Sequence, residues 1–181
     1  MHRRALLIVV LAMAAVTVSA TDQWPQFRGP DAGGVADDPA LPDTWNETEN
    51  VAWKTDIPGA GWSSPVVWED HVFVTATIGG TSEPKPIKGL YDPGDENGRT
   101  RSTAEHRWMA YDVDFQTGRI RWQQELARSM PKVQRHIKNT FASETPVTDG
   151  ERVYVYFGSI GILSAQDFSG PRLWTQEKGP F

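Results

Sequence analysis

Ala110-Tyr111-Asp112-Val113-Asp114-Phe115-Gln116-Thr117-Gly118-Arg119-Ile120-Arg121-Trp122 is the stretch that decides how this chain is read. Its alternating apolar residues give way to a Thr-Gly turn and resume in a second strand that opens with tryptophan. A shorter version, Ala165-Gln166-Asp167-Phe168-Ser169-Gly170-Pro171-Arg172-Leu173-Trp174, lies near the C-terminus. Between the two, Pro146-Val147-Thr148-Asp149-Gly150-Glu151-Arg152-Val153-Tyr154-Val155 has the shape of the upstream run Pro65-Val66-Val67-Trp68-Glu69-Asp70-His71-Val72-Phe73-Val74. Each starts Pro-Val, passes through polar and turn-forming residues, and closes on Val-aromatic-Val. Two elements that each return once are the mark of a repeat architecture.

These residues resemble the repeat of pyrroloquinoline-quinone (PQQ)-type β-propellers: Ala110, Asp112, Thr117-Gly118-Arg119 and Trp122, with Ser64-Pro65-Val66 leading to Val72-Phe73-Val74. The resemblance covers roughly residues 50 to 178. It implies an all-β fold of four-stranded antiparallel blades. It also implies that the repeat's tryptophan stacks over the alanine and glycine of a neighbouring repeat. On that basis Trp53, Trp122 and Trp174, with Ala110, Gly118, Ala165 and Gly170, are expected as structural blade-docking residues. The second copy departs from the pattern, because Ser169-Gly170-Pro171 replaces Thr-Gly-Arg and its turn is one residue shorter.

Strands are expected at 50–56, 63–68, 71–78 and 107–114, then at 122–126, 143–148, 152–157 and 162–167, and finally at 172–177. This reading makes blade one about 50–118, with an inserted Gly/Pro-rich loop at 79–105. Blade two is about 119–170, and 171–181 begins a third. A propeller ring takes about four to eight blades. Two blades and one strand leave an open end, so the chain reads as an N-terminal fragment. The ring would be completed by further blades from the same gene or by self-association. Residues 21–49, with Trp24-Pro25-Gln26-Phe27-Arg28-Gly29-Pro30, are too broken by Pro and Gly for a long helix or central strand. They read as an extended lead-in, and this run resembles the start of exported bacterial proteins of the same propeller family.

Residues 1–20 have the layout of a signal peptide: His2-Arg3-Arg4, an apolar run from Ala5 to Val18, and the small-residue close Val18-Ser19-Ala20. The apolar run is shorter than the roughly 20 residues of a spanning helix. A periplasmic or secreted address is therefore expected. There are no cysteines, so neither a disulfide framework nor a lipid anchor on an N-terminal cysteine is expected. Removing Arg3 and Arg4 from 18 cations, against 23 acids, leaves a mature formal charge of −7. An acidic surface excludes nucleic acid as a general partner.

The chemistry-bearing residues form no catalytic constellation. Ser63-Ser64-Pro65 lacks the nucleophile elbow of a serine hydrolase. His71, His106 and His136 have no zinc-ligand spacing. Asp92-Pro93-Gly94-Asp95-Glu96-Asn97-Gly98 lacks the alternating ligands of a calcium helix-loop-helix, and Asp112, Asp114 and Asp167 read as turn and strand-edge residues. Arg128, Lys132, Arg135 and Lys138 stand out in a segment without acids as a candidate patch for an anionic ligand or a protein partner. The expected function is non-catalytic binding or scaffolding, with no cofactor. Two alternatives stay open from the resemblance. One is a quinone-dependent dehydrogenase using PQQ and calcium, whose catalytic blades lie beyond Phe181. The other is an outer-membrane protein assembly propeller.

Overall fold

Short runs of Val, Ile, Phe, Tyr, Trp and Thr, separated by Gly, Pro and Asp turns, favour the pleated, half-buried surface of a sheet over a helix. The computed structural model describes residues 23–35, 42–80, 99–100, 102–136 and 139–180. They form two four-stranded antiparallel sheets and one short pair of strands. The first sheet has the order β1 (Val66–Trp68), β2 (His71–Gly79), β4 (His106–Asp114) and β5 (Ile120–Ser129). The second has β7 (Val147–Thr148), β8 (Arg152–Phe157), β9 (Ile162–Asp167) and β10 (Arg172–Glu177). The small pair joins β3 (Arg99–Thr100) to β6 (Arg135–His136). The chain is all-β, and among the described residues the sheets do not close into a ring. The signal region 1–20 lies outside the described residues, as do 81–98 of the expected insertion.

The strands group one place later than the sequence reading has them. The run 50–56, expected as a strand, joins no ladder. The Trp122 strand, expected to open a second unit, pairs with β4 and completes the first sheet. The Trp174 strand pairs with β9 and completes the second, leaving no strand over for a third. The cause lies in the two glycine turns. Gly118, at φ 71°, donates its amide to Asp114 O at 2.8 Å, and Gly170, at φ 109°, donates to Asp167 O at 2.9 Å. Turns this tight return the chain beside the strand it has just left, in the same sheet.

One buried cluster draws on both sheets: Val66, Phe73, Trp108, Ala110 and Leu126 from the first, with Val153, Val155 and Phe157 from the second. In β8 these buried residues alternate with exposed Arg152 and half-buried Tyr154 and Tyr156, as a strand with one covered face requires. β4 is different, because nearly all of it is buried. On its other face Met109 and Tyr111 pack with Ala76, Ile57, Val74, Ile78 and Ile120. The segment before β1 covers that face: Tyr111 Oη donates to Pro58 O at 2.7 Å, and Ala60 pairs with Thr77. Each large side chain buried this way contributes about 1.5–3 kcal/mol.

The glycine turns give the first prediction. A Cβ on Gly118 would meet the Trp53 ring at 2.6 Å in a left-handed backbone conformation. Gly33 has nothing within 4 Å of its Cβ position. Gly118→Ala is expected to lower stability by about 1–3 kcal/mol in urea unfolding, while Gly33→Ala leaves the midpoint nearly unchanged. Equal effects at the two sites would contradict the close contact.

Candidate functional site

Tryptophan carries a large apolar surface and one N–H that needs an acceptor when buried. Glycine is the residue whose backbone the flat indole can approach closely, and the glycine turns supply carbonyls beside it. The chain uses this pairing repeatedly. Trp53 lies on Gly118 and donates Nε1 to Phe115 O at 2.8 Å. Trp122, in the first sheet, lies on Gly170 in the second, with Nε1 donating to Phe168 O at 2.7 Å. Thr55 adds a hydroxyl bond to Gly118 O. Arg172 of β10 reaches back to Glu125 O at 3.1 Å and Leu126 O at 3.3 Å, where the β4–β5 register shifts. A bulge frees carbonyls from their ladder, and here Arg172 uses them.

Of the residues named as docking positions, Trp53 is thus brought onto Gly118 and Trp122 onto Gly170. Trp174 is 37% exposed and contacts Tyr154 of its own sheet, at 6.0 Å between ring centroids. Among the described glycines none has the Trp174 ring against it. Ala165 is the cross-strand partner of Trp174, but the partner of Trp122 is Asp112, and Ala110 pairs instead with Gln124. The residues that match between the copies are Asp114 and Asp167. Each turns its Oδ1 onto following amides, of Gln116 and Thr117 in one case and of Ser169 in the other. A further indole–glycine contact was not anticipated from the sequence: Trp68 of β1 lies over Gly150, in the turn between β7 and β8.

Asp112 therefore stands where the second sheet has alanine, and it is fully buried. His71 Nδ1 donates to its Oδ2 at 2.8 Å, and among the described residues its Oδ1 has no partner. The imidazole stacks on Phe73 at 5.6 Å between centroids and meets Phe168, in the β9–β10 turn, at a tilt with 4.9 Å between centroids. With Nδ1–H committed to Asp112, Nε2 is left to accept from Arg121 Nη1 at 3.2 Å. Arg121 also binds Asp70 and Asp114, and Asp70 lies 3.4 Å from His71 Nε2. Burial pushes the Asp112 carboxyl up, against the pull of the His71 bond. The Arg121 guanidinium and the Thr117 donors hold Asp114 well below the usual carboxylate range. Asp70 is lowered chiefly by the same guanidinium. The cluster joins β2, β4, β5 and the β9–β10 turn, so it sits at the junction of the two sheets. Its one sequence signal is a carboxylate at a core register position, which becomes visible only when Asp114 is aligned with Asp167.

The basic residues do not stand as one open patch. Arg128 pairs with Glu125 at 2.8 Å and Glu105 at 3.7 Å, and Lys132 with Glu177 at 3.0 Å. The two flanking guanidiniums hold the Glu125 carboxyl at about 2. Arg135 is 8% exposed, bonds Asn139 O at 2.7 Å and lies over the Phe141 ring. Lys138 lies outside the described residues. Among the described residues, no three Asp, Glu or His side chains are grouped to hold one metal ion. Compared with known proteins, the chain matches no family model and no curated sequence.

The buried carboxylate gives a pH prediction with a definite sign. A carboxyl whose native pKa is raised keeps its proton to higher pH when folded than when unfolded. Its stabilising contribution is therefore complete below the unfolded value of about 3.9 and is lost as pH rises through the native one. Asp112→Asn removes that loss and keeps an acceptor for His71. In urea unfolding at pH 4 and pH 7, the variant is expected to gain on the wild type as pH rises. A variant that falls further behind at pH 7 would contradict the assignment.

Proposed function

We propose that the chain is part of an exported β-propeller with PQQ-like repeats, whose work is non-catalytic binding or scaffolding. The observation that supports this most is the serial indole–glycine dock. Trp53 docks on the Gly118 turn, and Trp122 reaches across to the Gly170 turn of the next sheet. Trp174 occupies the equivalent position on β10 with its ring exposed. A third sheet presenting a glycine turn to Trp174 would extend the series by the same operation that relates the first two. Repeated rotation of blades in one direction is how a propeller ring is built. The exposed Val147, Leu173 and Trp174 are apolar groups that such a sheet would cover.

The use of the polar groups supports the binding reading. His71, Asp112, Asp114, Asp70 and Arg121 bond one another at a sheet junction, and Glu125, Arg107 and Arg128 are paired along β4 and β5. These groups hold strands together. A propeller with its charged groups committed to its own frame offers its loops and rims to ligands.

The test is made on the native protein from the exported fraction, incubated with PQQ and Ca²⁺ and assayed for alcohol-dependent dye reduction. No turnover above a heat-treated control is expected. Turnover that depends on the quinone would overturn the non-catalytic reading in favour of a dehydrogenase.

A further inference from the structure

β1 and β7 are the first strands of the two sheets, and each has one edge that no strand of its own sheet covers. An open edge presents unpaired N–H and C=O groups to any extended chain that passes. β1 is only three residues long and β7 only two, so each has little ladder of its own. Both edges are met by consecutive residues of the lead-in. Trp24 N donates to Val67 O at 2.8 Å and Trp24 O accepts from Val67 N at 2.9 Å, a complete antiparallel exchange. The next carbonyl, Pro25 O, accepts from Thr148 N at 2.9 Å. Residue 24 closes the first sheet and residue 25 bonds the second. Proline has no N–H, so at position 25 it supplies the acceptor and leaves no donor unpaired.

The lead-in is also built to hold that position. Arg28 and Gly29 take φ of 65° and 80°, which folds the chain back over Trp24. Gly29 is buried, and a Cβ there would lie 2.9 Å from the indole. The returning loop is fastened by Gly34 N to Arg28 O at 2.8 Å and Gln26 Nε2 to Pro30 O at 3.0 Å. On the sheet side, Trp68 of β1 packs on Gly150 next to β7, so the two edges lie together where the lead-in crosses. We propose that Trp24–Gly29 is an edge staple: one segment that occupies the strand-pairing edges of both sheets at once and fixes them to each other. It fills from within the chain a site that would otherwise accept another extended strand. The inference concerns the two sheets alone and holds whether or not further sheets complete a ring.

Native-state hydrogen exchange on the full chain tests it, because the Val67 and Thr148 amides bond to the lead-in. In the wild type both are expected to exchange at least about 100-fold more slowly than an exposed amide. Exposed-amide rates at either position would overturn the staple without need of a variant. Trp24→Pro removes the donor to Val67 O and is expected to speed both amides by about tenfold or more, while Val155 at the centre of β8 stays slow. Should that variant not fold, Trp24→Ala takes its place, keeping the amide and losing the ring held against Gly29. In a folded variant, acceleration at both amides supports the staple, and unchanged exchange at both contradicts it.

Discussion

A flat indole lying on a bare glycine turn is the contact on which the rest of this structure depends. It combines two requirements that a β-sheet has difficulty meeting together. The ring buries a large apolar area where a sheet edge would face water, and its N–H must find an acceptor there. A glycine turn answers both, because the missing Cβ lets the ring approach and the turn's carbonyls point outward. Trp122 on Gly170 thereby links the first sheet to the second, and Trp53 on Gly118 ties the preceding segment to the first. The large interior, from Phe73 and Trp108 to Val155 and Phe157, forms behind these contacts.

The two sheets are alike in outline and unlike in what they bury. The second places Ala165 beside its tryptophan, as an apolar interior favours. The first places Asp112 there and must then supply His71, Phe73 and Phe168 around it. A buried carboxylate with one oxygen unpartnered is costly. Its retention is explained by what the imidazole connects. His71 carries the contact from Asp112 to Arg121 and from there to Asp70 and Asp114, joining three strands and a turn. The first sheet is thereby tied at its turn end by charge, and the second by the hydroxyl and amide bonds of the Asp167 turn.

Much of the fold was legible in the sequence, for identifiable reasons. Period-two alternation in 152–157 and the Thr-Gly and Ser-Gly turns located most strands, because strand burial and turn geometry are local properties. The grouping of strands into sheets was not local. Taking each tryptophan as the start of a unit hid the fact that a tight turn keeps its two strands in one sheet. Aligning Ala110 with Ala165 followed the residue type, whereas the register follows the aspartates that cap the turns, and this shift concealed the buried Asp112. The basic residues read as a patch because the acids that pair with them lie outside the segment, Glu125 just before it and Glu105 and Glu177 farther away in sequence. The lead-in's bonds to Val67 and Thr148 are also long-range, and no periodicity announces them.

Hydroxyl-radical footprinting of the native protein tests whether the indole docks form a series that continues past the second sheet. Trp45 and Trp62, 71% and 51% exposed, serve as internal standards for open indoles, and docked Trp122 for a covered one. If the series continues, Trp174 in the native assembly is protected to the level of Trp122. Labelling of Trp174 as fast as that of Trp45 and Trp62 would contradict it and leave two docked sheets with no continuation.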